Sequence, residues 1–192
     1  SGQSDAEGIV ITFHPHPRTI LRPEDRHFRL INTTDEKIEL LRRYGVKHVV
    51  VVPFDKAFAA LTARQYVEDF LIRKFHPRFI VIGYDHHFGA NREGNIGFLK
   101  EYAARGVFDI VEIPAEEVDH IAISSSKIRN ALEKGDVMAA NRLLGHPWML
   151  SGKVVEGDKI GRTIGFPTAN LNVEDPCKLL LPNGIYAATA TD

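Results

Sequence analysis

The chain has 192 residues, of which 44% are hydrophobic and 26% charged, and a formal net charge of -1. That length accommodates one full domain and part of another, the charge supplies no basic field for nucleic acid, and no apolar run approaches the ~20 residues that cross a bilayer. The lone cysteine, Cys177, excludes an internal disulfide and fits a reducing, cytoplasmic compartment. The chain opens at Ser1-Gly2 without a methionine, so the expected natural start lies upstream.

Four short apolar runs read as buried strands: Ile9 to Phe13, Val49 to Val52, Phe79 to Ile82 and Ile110 to Ile113. They are rich in β-branched residues and mostly continuous, which suits parallel strands covered on both faces. Between them stand helices with readable ends. Thr33-Thr34-Asp35-Glu36 offers a capping box, Ile38 and Leu41 an apolar stripe, and Gly45 a stop. Thr62 with Gln65 opens a second helix, with Val67, Phe70 and Leu71 facing inward and Pro77 after its end; a third runs from about Ile96 to Arg105. The order predicts an α/β fold with a doubly wound parallel sheet. Ser124 to Leu132 and the Asp136-capped stretch to Leu144 read as two more helices, closed by Gly145, His146 and Pro147.

From about Ser151 the chain becomes glycine-punctuated and extended. Lys153-Val154-Val155 and Ile185 to Thr189 are strand candidates. This places a domain boundary between residues 147 and 148 and predicts the incomplete start of a small β-domain in 148–192.

In an open α/β sheet, ligands sit at the carboxyl ends of the strands. There the first strand meets Phe13-His14-Pro15-His16-Pro17, and the third meets Gly83-Tyr84-Asp85-His86-His87-Phe88-Gly89. Prolines beside an aromatic make a rigid apolar wall for a flat ring, or simply a turn that ends the strand. The four histidines lack regular metal-ligand spacing. Ser124, Ser125 and Ser126 open a helix, where hydroxyls and free N–H groups bind phosphate, and Arg129 lies one turn on; the plain alternative is an N-cap followed by a surface arginine. Further on, Gly157, Gly161 and Gly165 with Arg162 permit close approach to a phosphate chain. After Pro167, Thr168 and Asn170 offer two oxygens to Mg²⁺, unless the segment is only a β-turn with polar neighbours.

Together these segments resemble the bifunctional riboflavin kinase/FMN adenylyltransferases, the bacterial-type FAD synthetases. ITFHPHP is similar to their Pro-His-Pro loop, GYDHHFGANREG to a Gly-x-Asp/Asn-x-x-Phe-Gly segment, ISSSKIR to a phosphate-binding signature, and GRTIGFPTANL to the kinase signature. The resemblance implies a nucleotidylyltransferase-like sheet followed by a kinase β-barrel, with ATP, riboflavin, FMN and FAD as substrates or products and Mg²⁺ as cofactor. It places Ser124, Ser125, Ser126, Arg129, Gly161, Arg162, Gly165, Pro167 and Thr168 at ATP. Phe13, Pro15, His16, Pro17, Asp85 and Phe88 fall at the flavin, Thr168 and Asn170 at the metal, and Arg129 and Asn170 in catalytic roles. No oligomeric state is implied.

There are departures. His86-His87 stands where the family has a Phe-Arg-like pair, and Ser126 replaces a common threonine but keeps the hydroxyl. The family's His-x-Gly-His signature would precede Ser1 and its kinase glutamate would follow Asp192. The expectation is therefore that these 192 residues alone form neither FMN nor FAD. Two other readings are a nucleotidylyltransferase for a different acceptor and a non-catalytic nucleotide- or flavin-binding module. The PTAN-bearing segment speaks against the first.

Overall fold

The computed structural model describes residues 7–114, 117–118, 121–163 and 165–191. In chain order the elements are β1 (Ile9–His14), α1 (Pro17–Leu21), α2 (Thr34–Arg43), β2 (His48–Pro53), α3 (Lys56–Ala59) and α4 (Ala63–Gln65). A π-helical stretch (Tyr66–Ile72) runs from α4 into α5 (Arg73–Phe75), followed by β3 (Phe79–Gly83), α6 (Ile96–Ala104) and β4 (Asp109–Ile113). Then come β5 (Glu117–Val118), β6 (Ile121–Ala122), α7 (Ser125–Glu133), α8 (Val137–Leu144), β7 (Lys153–Val155), α9 (Ile160–Thr163) and β8 (Asn170–Asn172). The chain forms two compact units. One comprises Ser1–Arg26 with Gly45–Glu117, the other His27–Tyr44 with Val118–Asp192.

In the first unit all four predicted strands form, but in pairs. β1 lies parallel to β2, with Ile9 opposite His48, and β3 lies parallel to β4, with Phe79 opposite Asp109. Among the described residues these are two separate two-stranded sheets within a mixed α/β unit. Coverage is one-sided. Ile80, Ile82 and Ile110 pack with Ala63, Val67, Phe88, Leu99, Tyr102 and Phe108, whereas Phe79, Val81, Val111 and Ile113 on the other face of β3–β4 are exposed. Among the described residues, the helices supply a layer to one face of that pair. Both capping-box helices start as read. Thr62 accepts from the Gln65 N–H while Gln65 accepts from the Thr62 N–H, and Val67, Phe70 and Leu71 are buried.

In the second unit α7 and α8 form a hairpin whose facing residues Ile128, Leu132 and Ala140 bury Leu179. Asp136 caps α8 through the Ala139 N–H at 3.0 Å, and Gly145 ends it at φ 73°, a left-handed conformation natural to glycine. β7 pairs antiparallel with β8. The candidate strand from Ile185 to Thr189 does not form. The segment finds no partner strand among the described residues, Ile185 is fully exposed, and the Tyr186 hydroxyl closes a local turn onto the Pro182 carbonyl at 2.9 Å.

At the centre of this unit is a buried ion pair. The Lys178 ammonium donates to Glu36 Oε2 at 2.5 Å, to the Ile31 carbonyl at 2.7 Å and to the Met149 carbonyl at 2.8 Å, and lies 4.8 Å from the Trp148 ring centroid. Glu36 is the N3 residue of the α2 capping box, accepting from the Thr33 N–H at 2.9 Å, and it also accepts from the Ser151 N–H at 2.8 Å. Burial lowers the Lys178 pKa from the ordinary lysine value, and the Glu36 carboxylate opposes that shift. A buried pair is tolerated when every remaining donor and acceptor is satisfied, and breaking one side strands a charge. Lys178→Met is therefore expected to lower the unfolding free energy in urea by ~3–5 kcal/mol. Lys178→Met combined with Glu36→Gln, which keeps the capping box and removes the orphaned charge, should recover most of that loss.

Candidate functional site

The first unit carries the predicted flavin wall. β1 delivers Phe13 and His14, and the bond to Pro15 is cis. His16 caps α1, its Nδ1 accepting from the Arg18 N–H at 3.1 Å, and Pro17 takes the first helical position, where its missing N–H costs nothing. Pro15 is exposed, and His16 and Pro17 are half-buried. Asp85 is exposed on the turn after β3, in which the His86 N–H donates to the Gly83 carbonyl at 3.1 Å. Desolvation lowers the His86 pKa from the usual histidine value, with the Asp85 charge opposing. Phe88 differs from its neighbours on that turn. It is 6% exposed and sits in the core, stacked on Tyr66 at 5.0 Å and pinned by paired backbone hydrogen bonds to Gly94.

Phe13 and Phe88 are linked by aromatic rings that the sequence reading passed over. Phe13 meets Phe58 at 5.4 Å, Phe58 meets Tyr66 at 6.2 Å, and Tyr66 stacks on Phe88; Phe54 and Phe70 flank the series. The signal was the recurrence of aromatic residues, Phe54 with Phe58 and Tyr66 with Phe70, each pair four residues apart. Burial raises the Tyr66 phenol pKa to about 12, so it stays neutral. Glu93 was missed as well: its carboxylate accepts from the Ala63 N–H at 2.7 Å, satisfying a helix-start donor from thirty residues away.

The second unit carries the other two clusters. Ser124 is the N-cap of α7, its hydroxyl accepting from the Lys127 N–H at 3.3 Å, while Ser125 and Ser126 are exposed in the first turn. Ser126 lines a shallow cavity of about 430 Å³ with Lys127, Asn130, Ala131, Lys134 and Asp136. Arg129 is not among that lining. Its Nε donates to the Arg29 carbonyl at 2.6 Å, and its guanidinium lies 4.7 Å from the Phe28 ring centroid.

The glycine loop folds back on itself. The Phe166 N–H donates to the Gly161 carbonyl at 2.7 Å, and Gly165 takes φ 81°. Space for a side chain is limited at two points. A Cβ on Gly161 would overlap the Phe166 carbonyl and lie 3.1 Å from the Thr168 methyl, and a Cβ on Gly157 would overlap the Asn170 amide. The two glycines thus let the loop lie against Thr168 and Asn170, both exposed, with Asn170 opening β8 opposite Val155. Arg162 and Pro167 are exposed on the same loop. Mg²⁺ takes a few protein oxygens and keeps its waters and substrate phosphates, so a hydroxyl and an amide oxygen fit that donor chemistry. Among the described residues no cluster of three or more His, Cys, Asp or Glu is placed to hold a metal, and no helix is long and apolar enough to cross a membrane.

Residues 1–127 match the sequence model of FAD synthetase. The chain belongs to the FAD synthetase family. Residues 144–192 match riboflavin kinase. Among relatives of this FAD synthetase family member, the bifunctional riboflavin kinase/FMN adenylyltransferase of Buchnera aphidicola (subsp. Acyrthosiphon pisum) is 39% identical over 179 residues, covering 93% of this chain and 56% of that protein. The Escherichia coli K12 protein of the same description is 39% identical over 182 residues, with 93% and 56% covered. That of Listeria monocytogenes is 35% identical over 188 residues, with 97% and 59% covered. The chain thus spans a little over half the length of these relatives. Among solved structures, one described as a macrolide-efflux protein from Streptococcus pneumoniae superposes with a TM-score of 0.77 at 34% identity, covering 92% of this chain and 56% of its own.

The loop geometry separates two substitutions. Gly161→Ala collides with backbone and is expected to lower the stability of the second unit by ~1–3 kcal/mol in urea denaturation. Gly157→Ala meets only the end of a movable side chain. It should leave stability within ~0.5 kcal/mol while shifting the Asn170 side-chain amide resonances.

Proposed function

We propose that the chain is the ATP- and flavin-binding portion of a cytoplasmic bifunctional riboflavin kinase/FMN adenylyltransferase. The observation that carries this reading is the succession, in one chain, of a stretch matching FAD synthetase and a stretch matching riboflavin kinase. The functional division falls near residues 147 and 148. The two parallel strand pairs belong to a doubly wound nucleotidylyltransferase-like sheet, and β7 with β8 to the start of a kinase β-barrel; the FAD synthetase match over residues 1–127 supports the former and the riboflavin kinase match over 144–192 the latter.

In the adenylylation, a phosphate oxygen of FMN attacks the α-phosphorus of ATP. The bond from that phosphorus to the bridging oxygen breaks, and FAD and pyrophosphate leave. The positive end of α7, with Ser124, Ser125 and Ser126, receives the triphosphate, and Arg129 neutralises charge that develops on it. Phe13, Pro15, His16, Pro17 and Asp85 form the flavin wall, and Phe88 supports it from the core. In the phosphorylation, the 5′-hydroxyl oxygen of riboflavin attacks the γ-phosphorus of a second ATP, the bond from that phosphorus to the β,γ-bridging oxygen breaks, and FMN, ADP and the hydroxyl proton are the products. Gly161, Arg162, Gly165 and Pro167 border that nucleotide, and Thr168 and Asn170 would hold Mg²⁺ through a hydroxyl and an amide oxygen. When bound, the ion offsets phosphate charge. Neither reaction needs a covalent enzyme intermediate, so positioning and charge neutralisation supply most of the acceleration.

Binding tests this directly. A ligand at a hundredfold excess over its Kd stabilises by about 2.7 kcal/mol, so ATP with Mg²⁺, and FMN separately, should each raise the thermal midpoint. Arg129→Ala should reduce the ATP response and leave the FMN response unchanged. A midpoint indifferent to both ligands defeats the proposal.

A further inference from the structure

The segment 28–31 is gripped from two sides within the second unit. From one side, the Leu30 N–H donates to the Cys177 carbonyl at 2.7 Å and the Leu179 N–H donates to the Leu30 carbonyl at 2.8 Å, a parallel bridge centred on Lys178. The Lys178 ammonium adds its bond to the Ile31 carbonyl, which also accepts from the Trp148 indole N–H at 3.2 Å. From the other side, Arg129 holds the Arg29 carbonyl through Nε and lies over Phe28, itself 7% exposed.

Arg129 and Lys178 are 49 residues apart in sequence, yet their anchor carbonyls, Arg29 and Ile31, are separated by Leu30 alone. The segment forms an isolated bridge at Leu30 and has no helix of its own to hold it. Its conformation, and with it the place where the Arg129 guanidinium rests, is set by what clamps it.

We propose that Lys178 is a positioning residue for Arg129, acting through the backbone of residues 29–31. The proposal rests on the reading of Arg129 as a ligand of ATP. It reaches beyond that reading by making a residue from the riboflavin-kinase-like stretch part of the support for the adenylylation arginine. Lys178 touches no substrate. Its contribution is to hold the Ile31 carbonyl, so that the Arg29 carbonyl presents its lone pair to Nε and the planar guanidinium is oriented before nucleotide arrives. A preorganised arginine fork loses less freedom on binding than a free one.

The test pairs a direct signature with a binding cycle on the 192-residue chain. The Arg129 Nε–H resonance, assigned by its loss in Arg129→Lys, is followed by hydrogen exchange in the parent and in the Lys178→Met/Glu36→Gln double variant. The double variant removes both charges together and so avoids most of the destabilisation expected of Lys178→Met alone; circular dichroism confirms its fold. Exchange at Nε–H should accelerate and ATP affinity should fall about tenfold. Adding the double substitution to Arg129→Ala should weaken ATP binding no further. Unchanged Nε–H exchange in the folded double variant overturns the proposal, as does an equal loss of affinity in the Arg129→Ala background. If Nε–H exchange accelerates but even the parent binds no ATP, the positioning stands and the assignment of Arg129 to nucleotide falls.

Discussion

One buried ion pair organises the second unit. Lys178 and Glu36 have no exposed side-chain surface, and between them they tie the start of α2, the 148–151 connection and the 177–179 bridge to a single point. Desolvating two charges is expensive, and their attraction offsets that only when every remaining proton and lone pair is used. Here the ammonium has three acceptors and an aromatic face, and the carboxylate accepts from two backbone N–H groups as well. Such a network tolerates little change of geometry, so it specifies one arrangement of segments that are far apart in sequence.

The chemistry-bearing residues hang on this frame and on a second, apolar one. In the first unit the series from Phe13 through Phe58 and Tyr66 to Phe88 gives rigidity to the loops after β1 and β3, while the exposed Pro15 and Asp85 remain at their tips. In the second unit the constraint is steric. Glycine at 161 allows two stretches of backbone to touch, which a side chain there would prevent, and glycine at 157 leaves room for the Asn170 side chain. Rigid support beneath exposed oxygens and N–H groups is what phosphate binding without covalent chemistry requires.

Local features were legible in the sequence because their causes are local. The Thr33–Glu36 and Thr62–Gln65 capping boxes, the Asp136 cap and the Gly145 stop each follow from residues within a turn of one another. What escaped was set at a distance. Glu36 reads as an ordinary capping residue, and nothing near it announces a lysine 142 residues later. Phe88 reads as a loop aromatic, yet Gly94 folds back to pin it in the core. Ile185 to Thr189 has strand composition, but a strand also needs a neighbour to pair with. Arg129 was legible as a cation one turn into α7; that its Nε is taken by the Arg29 carbonyl was not. The family resemblance was readable because each of its motifs is a short, contiguous run of residues.

The central claim is that two phosphate-receiving sites are built into this chain, one at the start of α7 and one along the glycine loop before β8. Backbone amide resonances followed during titration with ATP and Mg²⁺ test it most directly. The account predicts two separate groups of shifting amides, at 125–129 and at 157–170. Shifts confined to one group, or lying outside both, contradict it.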